Sequence, residues 1–239
     1  RRVTHIAGRT VENEDLVNLP NWLVLSLRVR GERDWLDLRQ VELQSFHQEL
    51  DVRRGTLVRA ICYRDPAGRT TELEERRIVC MHRPHLAAIQ LTIRPLDWAG
   101  TVEVRSALDG RVANEGVPRY ADLESQHLEP VTAGAPSSDL LWLAARTSQS
   151  RVTVAQAART RALRPDGQPV EAARQLHSGT RRVAQVLAVD VGHDTPAVVE
   201  KVVALHTSRD RAISEPGLAA REAAARAGTF HELSAGHTL

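Results

Sequence analysis

The chain has 239 residues, of which 42% are hydrophobic and 26% charged, and its formal net charge is only +2. This composition is ordinary for a globular protein and leaves room for one large β domain or two small ones. Acidic and basic residues alternate, as in RVRGERDWLDLR (28–39), so no basic stripe could follow a phosphate backbone and nucleic-acid binding is not expected. No apolar run reaches the roughly 18 residues that cross a bilayer, and no segment has the pattern of a signal peptide. We therefore expect a soluble, cytoplasmic protein with no membrane partner.

Apolar and polar residues alternate with a period of two from Trp22 to about Leu205, which predicts β-strands. Turn-forming clusters such as DPAGR (65–69) separate these runs at short intervals. The clearest strand predictions are 56–65, 86–96, 100–108, 139–147, 151–160, 181–191 and 197–207. About twelve to fourteen strands without intervening helices exclude a parallel βαβ sheet and favour an antiparallel sandwich or barrel. Two large packed sheets fit the length best.

The pattern becomes helical after residue 208. Pro216 stands at the first position of an alanine-rich helix, EPGLAAREAAARAGTF (215–230), which is expected to end at Gly228. Thr229 is a candidate N-cap for a second helix near residue 230, with Glu232 three residues later.

These patterns divide the chain into a β-sandwich, 1–207, and a helical linker, 208–239. The first residues form a strand-like run without a starting methionine, and the last residues stop before the second helix can finish. We therefore expect the chain to be part of a larger protein.

The two cysteines predict no disulfide. Cys62 and Cys80 flank the turn at 65–68, and a hairpin there would place Cys62 opposite Thr71 and separate the thiols by roughly 30 Å. Two unpaired thiols are typical of a reducing compartment.

The residue patterns identify no catalytic or metal site. His82 and His85 are close in sequence, but no other residue of recognised ligand spacing accompanies them, so no metal is expected. The chain lacks the G-x-S-x-G and P-loop motifs. Glu49 and Asp51 share one strand face, where a solvated pair of acids is a more common explanation than glycoside chemistry.

A long connection and four tryptophans leave alternatives open. SALDGRVANEGVPRY (106–120) contains more turn-formers than a minimal hairpin needs, so it is an active-site loop, a contact surface or a simple link. Trp22 and Trp142 lie in apolar runs and are expected in the core, whereas Trp35 and Trp98 are candidates for a sugar-binding surface.

Several strings together resemble one family, the N-terminal domain of glycoside hydrolase family 65, which includes maltose, trehalose and kojibiose phosphorylases and related hydrolases. The resemblance runs from about Thr4 to Leu239. The strings are LVNLPNW (16–22), ELDVRRGTLVR (49–59), RTTELEERRIV (69–79), LTIRPLDWAGTVEVRSALDGRVANEGVPRY (91–120) and HLEPV (127–131). The glycine-rich segment that usually opens the family is missing ahead of THIAG (4–8), so an exposed sheet edge is expected.

This resemblance implies a large antiparallel super-β-sandwich of the galactose-mutarotase type, followed by a helical linker toward an α/α-barrel catalytic domain that the chain lacks. The complete enzymes invert: a carboxylic acid protonates the glycosidic oxygen while phosphate or an activated water attacks the opposite sugar face. The chain is then non-catalytic and holds no cofactor, and inorganic phosphate is a co-substrate of the complete enzyme if that enzyme is a phosphorylase.

The implied partners are the chain's own barrel domain, a disaccharide substrate and a second copy in a homodimer. The candidates for an interdomain or substrate-entrance loop are Asn18, Asn21, Asp109, Asn114, Arg119 and Tyr120. Two alternatives remain: a free-standing carbohydrate-binding module that uses Trp35 and Trp98, and a mutarotase-like enzyme with a paired histidine and carboxylate.

Overall fold

A computed structural model of the chain describes residues 2–14, 16–115, 123, 125–211 and 213–237. Within these residues the chain forms fifteen strands and two helices. The first eight strands are β1 (Arg2–Ile6), β2 (Arg9–Asn13), β3 (Leu25–Val29), β4 (Glu42–Asp51), β5 (Thr56–Arg64), β6 (Thr70–Val79), β7 (Leu86–Pro95) and β8 (Gly100–Asp109). The remaining elements are β9 (Leu128–Ser137), β10 (Leu140–Thr147), β11 (Thr153–Leu163), β12 (Pro169–Val170), β13 (Ala173–Ser178), β14 (Arg182–Val191), β15 (Ala197–Thr207), α1 (Pro216–Arg226) and α2 (Phe230–His237).

The strands form two packed antiparallel sheets and a separate hairpin. The large sheet has the order β4-β5-β6-β7-β15-β11-β10-β9, with β12 paired to β11, and the small sheet has the order β13-β14-β8-β3. The β1–β2 hairpin turns at Ala7 and Gly8, whose φ angles of 48° and 74° suit a tight two-residue turn. The predicted antiparallel β-sandwich is confirmed.

The core between the sheets explains the alternating sequence pattern. Val104 and Leu187 of the small sheet pack against Leu91, Ile93 and Val199 of the large sheet. The central strand β15 is buried on both faces, because the small sheet covers one face and the helices cover the other. Its run AVVEKVVAL (197–205) is therefore nearly continuously apolar, as expected for a strand without a solvent face.

Both helices pack on the outer face of the large sheet. Ala220 and Ala224 of α1 and Phe230 and Leu233 of α2 are buried there together with Val202. The linker region of the sequence is thus joined to the sandwich by an apolar core. Among the described residues, no helix combines the length and the hydropathy that crossing a membrane requires.

The helix ends follow the signals in the sequence. The Glu215 carboxylate caps α1 by accepting from the backbone N–H groups of Gly217, at 2.7 Å, and Leu218. At α2, Oε2 of Glu232 accepts from the Thr229 N–H at 2.7 Å, and the Glu232 N–H donates to Oγ1 of Thr229 at 3.2 Å. This reciprocal pair is a capping box, as predicted.

Two details of the sequence predictions were wrong. Cys62 lies opposite Glu72 rather than Thr71, because the turn between Arg64 and Thr70 sets a register shifted by one residue; both cysteines are free. Trp22 and Trp142 are only half-buried, because each lies at the margin of the core.

Candidate functional site

The structure brings together four of the six predicted loop residues. The backbone N–H of Asn18 donates to Oδ1 of Asn114 at 3.1 Å, and Nδ2 of Asn18 donates to the Ala113 carbonyl at 3.0 Å. Asn21 and Asp109 exchange two backbone hydrogen bonds, at 2.7 and 3.0 Å. The segment before β3 is therefore joined to the segment after β8, and we call the combined surface (18–23 with 109–114) the paired loops. Arg119 and Tyr120 lie outside the described residues.

Asp109 forms ion pairs in the paired loops. Its carboxylate accepts from Nη2 of Arg111 at 2.6 Å and lies 3.5 Å from Nε of Arg182. The hydrogen bond from Arg111 is the largest cause that holds the pKa of Asp109 below its usual range. Asp109 is thus charged at neutral pH and is suited to fixing this loop rather than to donating a proton.

Two buried polar side chains hold the paired loops from inside the sandwich. The ammonium group of Lys201 donates to the carbonyls of Trp22 at 2.6 Å, Val24 at 3.1 Å and Ala107 at 2.8 Å. Nε2 of Gln156 donates to the Pro20 carbonyl at 2.8 Å. Lys201 is completely buried, and burial lowers its pKa to about 7. The sequence reasoning missed this role; its signal was a single lysine within an apolar strand.

An exposed apolar groove lies beside the paired loops. It has a volume of about 490 Å³ and shares Trp22 and Leu23 with the loop surface. Its most exposed apolar side chains are Leu50, Val52, Val79 and Met81, at 60, 82, 58 and 78% exposure. We call the surface that these four residues form with Trp22 and Leu23 the apolar groove. Such a continuous exposed apolar surface is typical of an interaction site.

The edge strand β4 extends this apolar surface. The described residues give β4 one partner, β5, and all its residues from Glu42 to Leu50 are exposed. A register shift between Leu43 and Ser45 places Leu43 and Phe46 on the same face as Leu50. Within the described residues, β4 therefore presents an unpaired edge and an apolar face.

The acids that could support glycoside chemistry are engaged in local contacts. Glu49 lies 3.4 Å from Nε2 of His47, and Asp51 lies 3.1 Å from Nη1 of Arg54. A backbone hydrogen bond from Arg54 is the largest cause that lowers the pKa of Asp51. Glu200 accepts from the Phe230 N–H at 2.5 Å, and burial raises its pKa. These partners indicate structural roles.

Trp35 and Trp98 are not open sugar platforms. Trp35 is half-buried, with the guanidinium groups of Arg105 and Arg28 at 4.2 and 4.7 Å from its ring. The indole N–H of Trp98 donates to Oγ1 of Thr71 at 3.0 Å. A cavity of about 240 Å³ adjoins Trp35, but much of the ring surface is already in contact with arginine.

The histidine pair of the sequence separates in the fold. His82 lies against Gly236 of α2, whereas the ring of His85 stacks on that of His206, with centroids 4.0 Å apart. His206 lies 3.5 Å from Asp210. The sequence could not reveal this group, because His85 lies far from His206 along the chain. The ring of His85 contacts the carbonyl of Leu205, the residue before His206, and 120 residues separate His85 from Leu205.

Comparisons with known proteins agree with this fold. The family model described as "Glycosyl hydrolase family 65, N-terminal domain" matches residues 1–239. A Mycobacterium tuberculosis protein named as an uncharacterized glycosyl hydrolase is 40% identical over 233 residues, covering 98% of this chain and 17% of the relative. The kojibiose phosphorylase of Halothermothrix orenii is 27% identical, covering 83% of this chain and 24% of the enzyme. The α,α-trehalose phosphorylase of Thermoanaerobacter brockii is also 27% identical, covering 82% and 25%.

A solved structure also shares the fold. It is named as a candidate kojibiose phosphorylase from the human microbiome, with a TM-score of 0.75, 14% identity, and coverage of 93% of this chain and 27% of that one. The chain spans a quarter or less of the length of these curated relatives. Since the family model matches every residue, the chain belongs to the N-terminal domain family of glycosyl hydrolase family 65.

Proposed function

We propose that this chain is the non-catalytic N-terminal domain of an inverting family 65 enzyme that cleaves α-glucosidic disaccharides such as kojibiose, trehalose or maltose. The names of the curated relatives support phosphorolysis, with inorganic phosphate as co-substrate, while hydrolysis remains the alternative reaction. The general acid and the phosphate-binding residues then belong to an α/α-barrel domain. Two free cysteines are compatible with the cytoplasm as its location.

The apolar groove is the observation that carries this proposal. Val52 and Met81 are about four-fifths exposed, so in a domain that functioned alone they would contribute little burial free energy. His237 at the end of α2 also lines the groove and accepts from the Met81 N–H at 3.0 Å. In our proposal the barrel domain follows α2 in the chain and would therefore begin beside this surface. We infer that the barrel domain packs there.

The paired loops then border the docked barrel. Lys201 and Gln156 fix the backbone of the loop segment, and the amide groups of Asn18, Asn21 and Asn114 form hydrogen bonds within the loops, so binding need not order a flexible loop. We propose that these residues, with Asp109, Arg119 and Tyr120, shape the entrance to the active site. The division into a sandwich, 1–207, and a linker, 208–239, is retained in this proposal, with the linker held on the large sheet.

The test uses the full-length enzyme with Val52→Asp and Met81→Asp combined. We expect kcat/KM for the disaccharide to fall at least about tenfold, because a docked barrel would bury two unpaired carboxylates. Leu176→Asp is the matched control, since Leu176 is 52% exposed on the small sheet. Equal activity of the double variant and the control would contradict docking at the groove.

A second experiment separates this proposal from a carbohydrate-binding module. The 239-residue chain is titrated calorimetrically with kojibiose, trehalose and maltose and assayed for cleavage with and without phosphate. We expect neither binding nor turnover. Millimolar or tighter sugar binding that is lost in Trp35→Ala would favour the binding module instead.

A further inference from the structure

Two histidines and one aspartate from distant parts of the chain meet at one end of the large sheet. His85 immediately precedes β7, His206 lies near the end of β15, and Asp210 lies in the following turn. One nitrogen of each ring and one carboxylate oxygen lie within 4.8 Å of one another. We propose that these three side chains bind one divalent transition-metal ion, with Zn²⁺ as the ion that fits them best.

The spacing of the donor atoms is close to that of a metal site. Nδ1 of His206 lies 3.5 Å, and Nδ1 of His85 3.8 Å, from Oδ2 of Asp210. Ligand atoms bonded to tetrahedral zinc at about 2.0–2.1 Å are about 3.4 Å apart. The carboxylate is therefore already close to the required distance from both rings, and the orientation of the rings is what must change. Two imidazoles and a carboxylate are a donor set typical of zinc.

The ring of His206 is the independent sign of a missing ligand. His206 is only 8% exposed, and within the part of the chain that the structure describes neither of its ring nitrogens has a hydrogen-bond partner; the Asp210 carboxylate, 3.5 Å from Nδ1, does not meet hydrogen-bond geometry. Buried polar atoms are almost always paired, since leaving them unpaired is destabilising. A metal ion bonded to Nδ1 would satisfy this acceptor and fix the tautomer of the ring.

The surroundings hold the carboxylate and leave room for solvent. Oδ2 of Asp210 accepts from the Thr207 N–H at 2.7 Å, and Oδ1 accepts from the Thr207 hydroxyl at 3.2 Å. Such contacts orient a ligating carboxylate. The His85 side chain is 44% exposed, so water can complete the coordination of the ion on that side.

Binding requires one ring to turn. The rings of His85 and His206 are stacked with an angle of 13° between their planes, and the lone pairs of parallel rings cannot converge on one ion. His85 is the ring that can turn, because its side chain is 44% exposed. Its Nδ1 donates to the Leu205 carbonyl at 2.9 Å, so turning the ring breaks this hydrogen bond, and the nitrogen that binds the ion must be deprotonated. Metal binding therefore separates the stacked rings.

The test is a metal titration of the full-length chain after dialysis against a chelator. We expect one Zn²⁺ per chain by calorimetry with a micromolar or lower Kd, and a visible absorption band of four-coordinate Co²⁺ in the same stoichiometry. His206→Ala should weaken binding by about 100-fold and Asp210→Asn by about tenfold. His47→Ala should change nothing; His47 forms a similar pair with Glu49, at 3.4 Å, outside this group.

A second variant guards against misfolding of His206→Ala. His85→Gln changes an exposed side chain, so it should keep the wild-type melting temperature without metal and lose the rise that Zn²⁺ gives the wild type. In the wild type, Zn²⁺ should shift the ring-proton resonances of both histidines. Zinc affinity that is unchanged in both His85→Gln and His206→Ala, or no binding at about 0.1 mM Zn²⁺, would overturn the proposal.

Discussion

Lys201 is an ionisable residue in the middle of the nearly continuously apolar strand β15. It is fully buried, the described residues offer it no carboxylate partner, and its ammonium group donates hydrogen bonds to three backbone carbonyls. All other Lys and Arg positions of the chain are arginine. A planar guanidinium group could not replace the compact ammonium group of Lys201 among three converging carbonyls. Lys201 thus connects the central strand β15 to the backbone of the paired loops.

This environment predicts a pH-dependent stability. Because the folded pKa of about 7 lies below the ordinary value of 10.5, the unfolded chain binds more protons between these values. Below pH 7 the folded protein carries the full free-energy cost of burying the charge, and this cost falls as Lys201 loses its proton. The free energy of unfolding of the wild type should therefore increase by up to about 1.4 kcal/mol per pH unit as the pH rises from about 7. Urea unfolding at pH 7–9.5 should show this gain relative to Lys201→Met. Parallel pH curves of the two proteins would show that Lys201 titrates normally.

At the scale of elements, one buried arginine supplements the apolar contact between α1 and the large sheet. Nη1 of Arg159 on β11 donates to the Ala225 carbonyl at 2.7 Å, and Nη2 donates to the Gly228 carbonyl at 2.9 Å. These carbonyls lie at the C-terminal end of α1, where helices leave acceptors unpaired. Burial is the main cause that lowers the pKa of Arg159, which is only 4% exposed.

Arg159→Met should therefore reduce the free energy of unfolding by about 2–4 kcal/mol, since two buried carbonyls lose their donors. Arg226→Met is the control, because Arg226 pairs with Glu222 at 3.6 Å on the exposed face of α1 and should matter little. Urea unfolding monitored by circular dichroism measures both variants. Equal losses of unfolding free energy in the two variants would show that the buried hydrogen bonds of Arg159 contribute no more than the surface ion pair of Arg226.

For the whole molecule, the apolar groove adjoins the edge of β4 that has no partner among the described residues, since Leu50 belongs to both. A docked barrel covers the groove in our proposal, and the edge of β4 remains available to a second copy of the chain. Exposed strand edges pair readily with other strands. We therefore propose that the homodimer forms through β4, with Leu43 and Phe46 in its contact.

Phe46→Lys should then shift the full-length protein from dimer to monomer in sedimentation equilibrium, because a charge on an edge strand opposes pairing. Leu176→Lys on β13 is the matched control, since both side chains are 52% exposed and both strands lie at sheet edges. A dimer that persists with Phe46→Lys would exclude this edge as the contact.

The sequence alone located seven of the fifteen described strands, because a residue's alternation between core and solvent is local in a sheet; the count of about twelve to fourteen strands was slightly low. It also determined where both helices begin, since Pro216 and the Thr229–Glu232 pair act within one turn. The choice of Asn18 and Asn114 as loop candidates came from family resemblance, and their mutual contact appeared only in the structure.

The tertiary structure decided which distant residues meet. The sheet order places β15 between β7 and β11, so His206 comes beside His85 and Lys201 faces the loop before β3. It also decided that Trp22 and Trp142 are half-buried, because burial depends on which strands the small sheet and the helices cover. Strand periodicity carries no information about strand order, and the candidate sites are products of that order.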